Sequence, residues 1–276
     1  MFCSIELAAR VERAAAALVR AGAESARAHH AAGANEVFVL PLAGGIAAWA
    51  SAGSPLNKVA GLGFGGVPSA GDLDAVERAF AARATPVQVE LANLAEPALA
   101  TLLSDRGYRL VGFENVLGTR LPRPPAPPVG GVSVSRIAPD ELPTWLDTVI
   151  AGFAAPDTQG VASHEEFPRE VLERAVGDLA RDPAYTSYLA RLQGEIAGGA
   201  AVHVFDGVAQ LAGAATLPRY RRRGVQTALL AARLADVAAA GCEIAVITTQ
   251  PGSKSQQNAQ KQGFHLLYTR AVLVRS

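Results

Sequence analysis

Four arginines crowd the stretch "PRYRRRGVQTALL", residues 218–230: Arg219, Arg221, Arg222 and Arg223, followed at once by Gly224. If a strand ends near Leu217 and a helix begins near Val225, the amides of that helix's first turn have no internal partner. The helix dipole adds roughly half a positive charge to them. Such an end attracts an anion. Gly224 lets the chain turn tightly and bring its backbone close to a ligand, and the arginines add charge-assisted hydrogen bonds, so a pyrophosphate suits the junction. A basic run can also be a solvated turn or a nucleic-acid patch. Against the patch, 25 basic residues balance 25 acidic ones, and no aromatic interleaves the run beyond Tyr220. Nucleic acid is therefore not an expected partner.

The junction needs a strand before it and a helix after it, and the surrounding sequence supplies both. Within "YTSYLARLQGEIAGGAAVHVFDGVAQLAGAATL" three strands turn at Gln193-Gly194 and Asp206-Gly207. Leu230, Leu234 and Val237 then repeat at helical spacing up to a stop at Gly241. "EIAVITT" reads as a short apolar strand, "SKSQQNAQKQG" as a polar helix and "FHLLYTRAVLV" as the last strand region. Upstream, "VSVSRIAP" is strand-like, and two helices follow in "PDELPTWLDTVIAGF" and "FPREVLERAVGDLARDP". Five prolines in "LPRPPAPPVGG" mark a semi-rigid linker.

Before that linker, Leu7, Val11, Ala14 and Leu18 predict a helix, "EVFVLPL" and "GIAAWAS" a hairpin, and "NKVAGLGFGG" a further strand. "DLDAVERAFAAR", opening on Asp72 as its cap, makes a second helix; "VQVEL" is a strand, "EPALATLLSDRG" a helix and "YRLVGFENVLGTRL" a final strand region. The halves also match in pattern. Gly107-Tyr108 and Gly263-Phe264 stand 156 positions apart, while Leu73 and Leu230, Phe80 and Val237, and Val87 and Ile244 stand 157 apart. A constant offset with one residue of slip argues an internal duplication. The expected organisation is residues 1–121 as one domain, 122–131 as linker and 132–276 as a second domain. The fold class is α/β, each domain a mixed central sheet flanked by helices.

Half of the 276 residues are apolar and 18% are charged, which excludes a disordered chain. Cys3 and Cys242 have no metal-ligand spacing, no metal is expected, and a reducing compartment follows. No run reaches the ~20 apolar residues of a membrane helix, and the amino terminus lacks the pattern of a secretory signal. The expectation is a cytoplasmic protein with no membrane partner.

The junction and the strand order resemble the GNAT superfamily of acetyl-CoA-dependent N-acetyltransferases, over about 140 residues. Arg221, Gly224 and Gln226 occupy the three defining places of that family's cofactor motif, with Gln226 standing where the pattern has Gly or Ala. The resemblance implies a transferase fold in tandem and acetyl-CoA as co-substrate. It places Ala215, Thr216 and Leu217 along the pantetheine through backbone groups. It places Arg222, Arg223, Gly224, Val225, Gln226 and Thr227 at the pyrophosphate, and Ser255 and Asn258 at the pantetheine or the phosphate end.

It also implies a primary amine, of a small molecule or a protein, that attacks the thioester directly. Ala259 stands where many relatives carry the tyrosine that protonates the departing thiolate. Tyr220, Tyr268 and Ser255 are the substitutes, and His203 is a candidate base because imidazole titrates near neutrality. The first reading of His203, however, is a satisfied histidine within a sheet. Asp157, Glu165 and Glu166 with His164 lie where relatives border the acceptor site, or form a solvated loop.

The corresponding junction of the first half, "GLGFGGVPSAGDLDAVERAF", has no cation between Lys58 and Arg78. It has Asp72 near the helix start, which would oppose a phosphate. The first half is thus a degenerate GNAT-like copy expected to bind no acetyl-CoA and to shape the acceptor cleft. Glu114 and Asn115, which interrupt an apolar strand, read as one polar face, and His29, His30 and Trp49 receive no role. Two other readings remain: a non-catalytic acyl-CoA-binding or sensory module, and a transferase using a different acyl donor.

Overall fold

Ser4 starts the first helix, α1 (Ile5–His29), by accepting from the Leu7 amide at 3.2 Å, which satisfies one of the first-turn donors. Ala8, Val11, Ala15, Val19, Ala23 and Ala26 are buried at spacings of three and four, and their small side chains bring the helix close to the layer beneath. The structure, a computed structural model, describes residues 1–30, 36–124 and 127–276. The first half continues through β1 (Phe38–Leu42), β2 (Gly45–Trp49), β3 (Lys58–Ala60), α2 (Ala70–Ala81), β4 (Val87–Ala92), α3 (Ala98–Asp105) and β5 (Arg109–Arg120). The second half runs β6 (Val132–Arg136), α4 (Leu142–Phe153), α5 (Arg169–Leu179), β7 (Tyr185–Leu192), β8 (Glu195–Phe205), β9 (Val208–Thr216) and α6 (Val225–Ala239). It ends with β10 (Ile244–Thr249), α7 (Lys254–Lys261) and β11 (His265–Arg275).

The sheet order is β1-β2-β3-β4-β11-β5-β10-β9-β8-β7-β6. Each half lays down its own strands in sequence and then trades the last one. β11 of the second half pairs antiparallel with β4, and β5 of the first half pairs antiparallel with β10. The traded strands also pair with each other, from His265↔Gly118 to Val274↔Arg109. The two mixed sheets are therefore continuous. Helices α1, α4 and α5 cover one face, where Leu18 and Leu179 join Trp145, Val149 and Leu189. Helices α2, α3, α6 and α7 cover the other.

The Pro-rich stretch 122–131 includes residues 125 and 126, which lie outside the described residues. Its described parts lie along the second face: Arg123 Nη1 donates to the Gln262 carbonyl at 2.6 Å, and Val129 packs on Gly224.

Where the halves meet, the α1 face buries charge. Arg270 of β11, 4% exposed, donates to Glu12 of α1 at 2.7 Å and to Glu90 of β4 at 3.2 Å. Lys58 of β3 donates to Glu90 at 2.5 Å, and the Tyr268 hydroxyl donates to Glu12 at 2.6 Å. Burial opposes the charge on Lys58, but the carboxylates of Glu90 and Glu114 outweigh it and hold its pKa above the ordinary lysine value. Burial likewise opposes ionisation of Glu90, and Lys58 and Arg270 reverse that, leaving its carboxyl below the usual range. These pairs tie α1, β3, β4 and β11 together across the join.

Candidate active site

Strands β9 and β10 run parallel, yet they pair only from Ile244↔Val208 to Ile247↔Leu211. Beyond that, β9 continues to Thr216 and β10 to Thr249 without pairing, so a wedge opens between their carboxy-terminal ends. A bulge bends β9 away. Gly199 faces Ala215, but Ala201 faces Ala212, which leaves one extra residue on β9, and Gly213 takes φ +58° within it. Arg233 of α6, 1% exposed, braces the bulge by donating to the Ala201 carbonyl at 2.9 Å and the Ala212 carbonyl at 3.4 Å. Burial lowers its pKa to about 10, so it stays a cation at neutral pH.

The arginine junction lies at the mouth of this wedge. Gly224 takes φ +81° and Arg222 φ +61°, and among the described residues no side chain caps α6. Its first main-chain bond runs from Ala228 N to Gly224 O at 3.0 Å. Among the described residues, the amides of Arg222 to Thr227 donate to no protein acceptor. A left-handed arginine costs on the order of 1–3 kcal/mol, and such strain accumulates where a backbone is shaped for a ligand. Arg222 and Arg223 are exposed. Arg221 instead spends its guanidinium on the carbonyls of Thr216, at 3.4 Å, and Ala155, which clamps the end of β9 to the end of α4. Arg219 and Arg223 lie over the Tyr220 ring, 4.9 and 5.9 Å from its centroid.

The equivalent junction of the first half is closed. Ser69, rather than Asp72, is the N-cap of α2. Its hydroxyl oxygen accepts from Asp72 N at 3.1 Å, and the Asp72 carboxylate returns to Ser69 N at 3.0 Å. The anion this helix end attracts is its own residue. The gap beside β3 is filled too: Glu96 N donates to the Gly63 carbonyl at 3.0 Å, and a Cβ on Gly63 would stand 2.3 Å from Leu99 Cδ1.

Both lips of the open wedge carry an orphan hydroxyl. Thr216 faces Gly198, whose missing side chain would meet Val225 of α6, and Thr249 faces Asn115, which donates to Gln256 of α7. Both threonines therefore point to the α6/α7 face. Among the described residues their buried Oγ1 atoms have no hydrogen-bond partner, an arrangement that costs roughly 1–3 kcal/mol for each hydroxyl unless a ligand supplies one. An uncapped helix start, a wedge and two orphan hydroxyls fit a pyrophosphate bearing a narrow arm with amide groups.

The other predicted cofactor positions divide. Ala215 is buried and packs on Gly152 of α4, and the Leu217 amide is spent on the Ala197 carbonyl at 3.0 Å. Val225 is buried, Gln226 and Thr227 are half-buried in the first turn of α6, Ser255 is exposed on α7, and Asn258 is half-buried one turn later.

The proton-transfer candidates are scattered. His203 pairs with Gln210, six positions before Thr216, which is roughly 20 Å away at ~3.3 Å per residue. It is buried, its Nδ1 is unpartnered, and burial lowers its pKa. The Tyr220 hydroxyl donates to Glu195 at 2.5 Å, beside the β7–β8 turn and away from the wedge. Tyr268 lies under α1, and burial together with the Glu12 carboxylate holds its hydroxyl well above the ordinary tyrosine range. Ala259 is buried against the second-half core. Asp157 Oδ1 accepts from the Gln159 amide, and Glu166 is exposed. His164 reaches over β5 to Gln88 at 3.1 Å, with Glu165 3.8 Å away. A separate hollow of about 600 Å³, lined by His30, Trp49, Arg83 and Arg174, lies at the far side of the first half.

Thr249 and Arg233 carry no signal in the sequence, and Glu114 reads there only as part of a polar strand face. Thr249 ends an apolar strand, and Arg233 falls between the leucines of a helix stripe. Glu114 carried a signal, a charge within an apolar strand. Its side chain is 20% exposed with Arg270 Nη1 at 3.6 Å, and burial and then Glu90 raise its pKa to about 7.

Residues 150–264 match the family described as "Acetyltransferase (GNAT) family". No curated protein matches the chain. Among solved structures it is similar to a GCN5-related N-acetyltransferase from Kribbella flavida, at 21% identity over 94% of each chain with TM-score 0.63. It is also similar to one from Sphaerobacter thermophilus, at 17% identity over 74% of this chain and 66% of that one with TM-score 0.55. A tandem GNAT protein from the clavulanic acid biosynthesis pathway matches at 16% identity over 79% and 74%, with TM-score 0.55. The arginine junction, the wedge and these matches agree: residues 150–264 match the GNAT acetyltransferase family, and the chain has the tandem GNAT fold.

Proposed function

We propose that the protein transfers an acetyl group from acetyl-CoA to a primary amine, of a small molecule or a protein, and that only its second half binds the donor. The family match over residues 150–264 supports acetyl transfer. The observation that carries the finer reading is the contrast between the two junctions. The start of α6 is uncapped beside an open wedge, whereas α2 is capped by Ser69 and Asp72 beside a filled gap. In this reading the amides of Arg222 to Thr227 hold the pyrophosphate, Thr216 and Thr249 hydrogen-bond the pantetheine amides, and Arg233 maintains the bulge that keeps the wedge open. The carboxy-terminal ends of parallel strands are where such sheets place their ligands. The first half supplies structure and one strand of the site.

Direct attack by the amine needs no covalent enzyme intermediate, only a group that removes a proton and a wedge that orients the carbonyl. A thiolate is a weakly basic leaving group, so Ala259 in place of an acid is compatible with turnover. The buried Ala259 also favours a non-catalytic acyl-CoA-binding module. Mixing acetyl-CoA with a panel of primary amines separates the two. Thiol release that depends on an amine supports the transferase, and tight binding with no release for any amine supports the module.

A further inference from the structure

Strand β10 ends at Thr249, which is opposite Asn115. The next residue along β5 toward the ligand end of the sheet is Glu114, so it is the first residue of that strand past the end of β10, where the wedge meets β5. Its face is set by its neighbours. Glu114 pairs with Arg270, whose side chain reaches Glu12 of α1, and a Cβ on Gly112, two residues before it, would lie 3.5 Å from His164 Nδ1. Asn115 points the opposite way, to Gln256 of α7. A donor anchored at the start of α6 and threaded through the wedge delivers its acyl end to the Glu114 face.

The groups around Glu114 come from every element packed there: Lys58 of β3, Glu90 of β4, Arg270 of β11, Glu12 of α1, and His164 and Glu165 from the segment between α4 and α5. Both cations spend their hydrogen bonds elsewhere, while Arg270 Nη1 also lies 3.6 Å from Glu114 as an ion pair without a hydrogen bond. Lys58 donates to Glu90, and Arg270 donates to Glu12 and Glu90, leaving Glu114 with no hydrogen-bond donor among the described residues. Its side chain is four-fifths buried and keeps one-fifth of its surface exposed, on the face where the Gly112 Cβ position lies 3.5 Å from His164 Nδ1. A carboxyl so placed gains a partner when a protonated amine enters.

We propose that Glu114, carried by the last strand of the first half, is the base that takes a proton from the acceptor's ammonium group in the acyl-transfer site of the second half, and that the acceptor is therefore a cationic amine. This rests on the acetyltransferase reading above. The ammonium gives one proton to the Glu114 carboxylate, and the freed nitrogen lone pair forms the C–N bond at the thioester carbon. The C–S bond breaks with its electron pair on sulfur, the second N–H proton passes to the thiolate, and Glu114 returns its proton to water. The products are the amide and the free thiol, and no oxidant or further reactant is needed. The elevated pKa matches a base poised near neutrality. The exchange of last strands then acquires a function, because the second half's site is incomplete without the first half.

The test compares wild type with Glu114→Gln and Glu114→Asp, measuring acetyl-CoA affinity by calorimetry and thiol release from about pH 6 to 9. The amine panel holds a polyamine, an amino acid, an aminoglycoside and a lysine peptide. The expected result is unchanged acetyl-CoA affinity in E114Q, a loss of about 10²-fold or more in kcat/KM, and disappearance of the rise in rate through about pH 7, with partial recovery in E114D. An E114Q enzyme within a few-fold of wild type with the same pH rise overturns the assignment. So does a wild type that binds acetyl-CoA yet acetylates no amine of the panel. A wild type that does not bind acetyl-CoA overturns the acetyltransferase reading itself.

Discussion

Replacing Thr249 by valine should make the protein more stable and a poorer binder of acetyl-CoA at once. Thr249 is 5% exposed and its Oγ1 has no partner among the described residues, so the fold carries a desolvated hydroxyl of roughly 1–3 kcal/mol that valine removes. For a chain of this size each 1 kcal/mol raises Tm by roughly 2–4 °C. In the complex the account is reversed, because the hydroxyl's hydrogen bond to the donor, about 0.5–1.5 kcal/mol, is lost and affinity falls roughly 2- to 10-fold. Thermal melts with and without acetyl-CoA read both effects. The variant should melt above wild type alone and gain less from saturating ligand, since ligand stabilisation grows as RT ln(1 + [L]/Kd). Thr216→Val, on the other lip, should behave alike. A Thr249→Val protein that melts below wild type, or gains as much from the ligand, refutes the reasoning that this hydroxyl is kept for the donor.

Three further outcomes follow from other parts of the molecule. Arg270→Met should destabilise by about 3–5 kcal/mol in chemical denaturation, because Glu12 and Glu90 lose a buried partner at the join between the halves; a loss below about 1 kcal/mol would show that the network does not hold the join. Ser69→Ala should cost about 1 kcal/mol by the same measurement and leave acetyl-CoA affinity unchanged, since the α2 cap serves only its own helix. Glu114 has a folded pKa of about 7, above its ordinary 4.5, so the folded state binds this proton more tightly. Its contribution to stability falls as pH rises from about 4.5 to about 7. Glu114→Gln should flatten that part of the stability profile and melt no lower than wild type near pH 8, and a lower melting point there would contradict the shift.

The junction was legible in the sequence because its signals are local. Cations, a glycine and an apolar helix stripe fall within 26 residues, from Thr216 to Gly241, and hydrophobic periodicity read the remaining elements in order. The sequence places the cap at Asp72, whereas Asp72 is the N3 residue of a capping box begun by Ser69, a shift that local spacing alone does not resolve. The exchange of β5 and β11 left no local trace. Pairing between residues 87–92 and 270–275 depends on which edge is free after both halves have formed, and either strand pattern suits either neighbour. That exchange is what brings Glu114 to the wedge, so its place in the site could not be seen from an interrupted apolar strand. Thr249 and Arg233 were hidden for the opposite reason: each lies within an otherwise apolar element, where only the structure shows that a polar atom is buried against a bulge or an opening.

The most direct test of the central claim is a crystal structure of the protein with acetyl-CoA. The expected structure holds one molecule per chain, with its pyrophosphate on the amides of Arg222 to Thr227, its pantetheine between β9 and β10 within reach of Thr216 and Thr249, and its acyl end on the Glu114 side of the sheet. A donor bound at the Ser69–Asp72 end of α2, or a second molecule there, would contradict it.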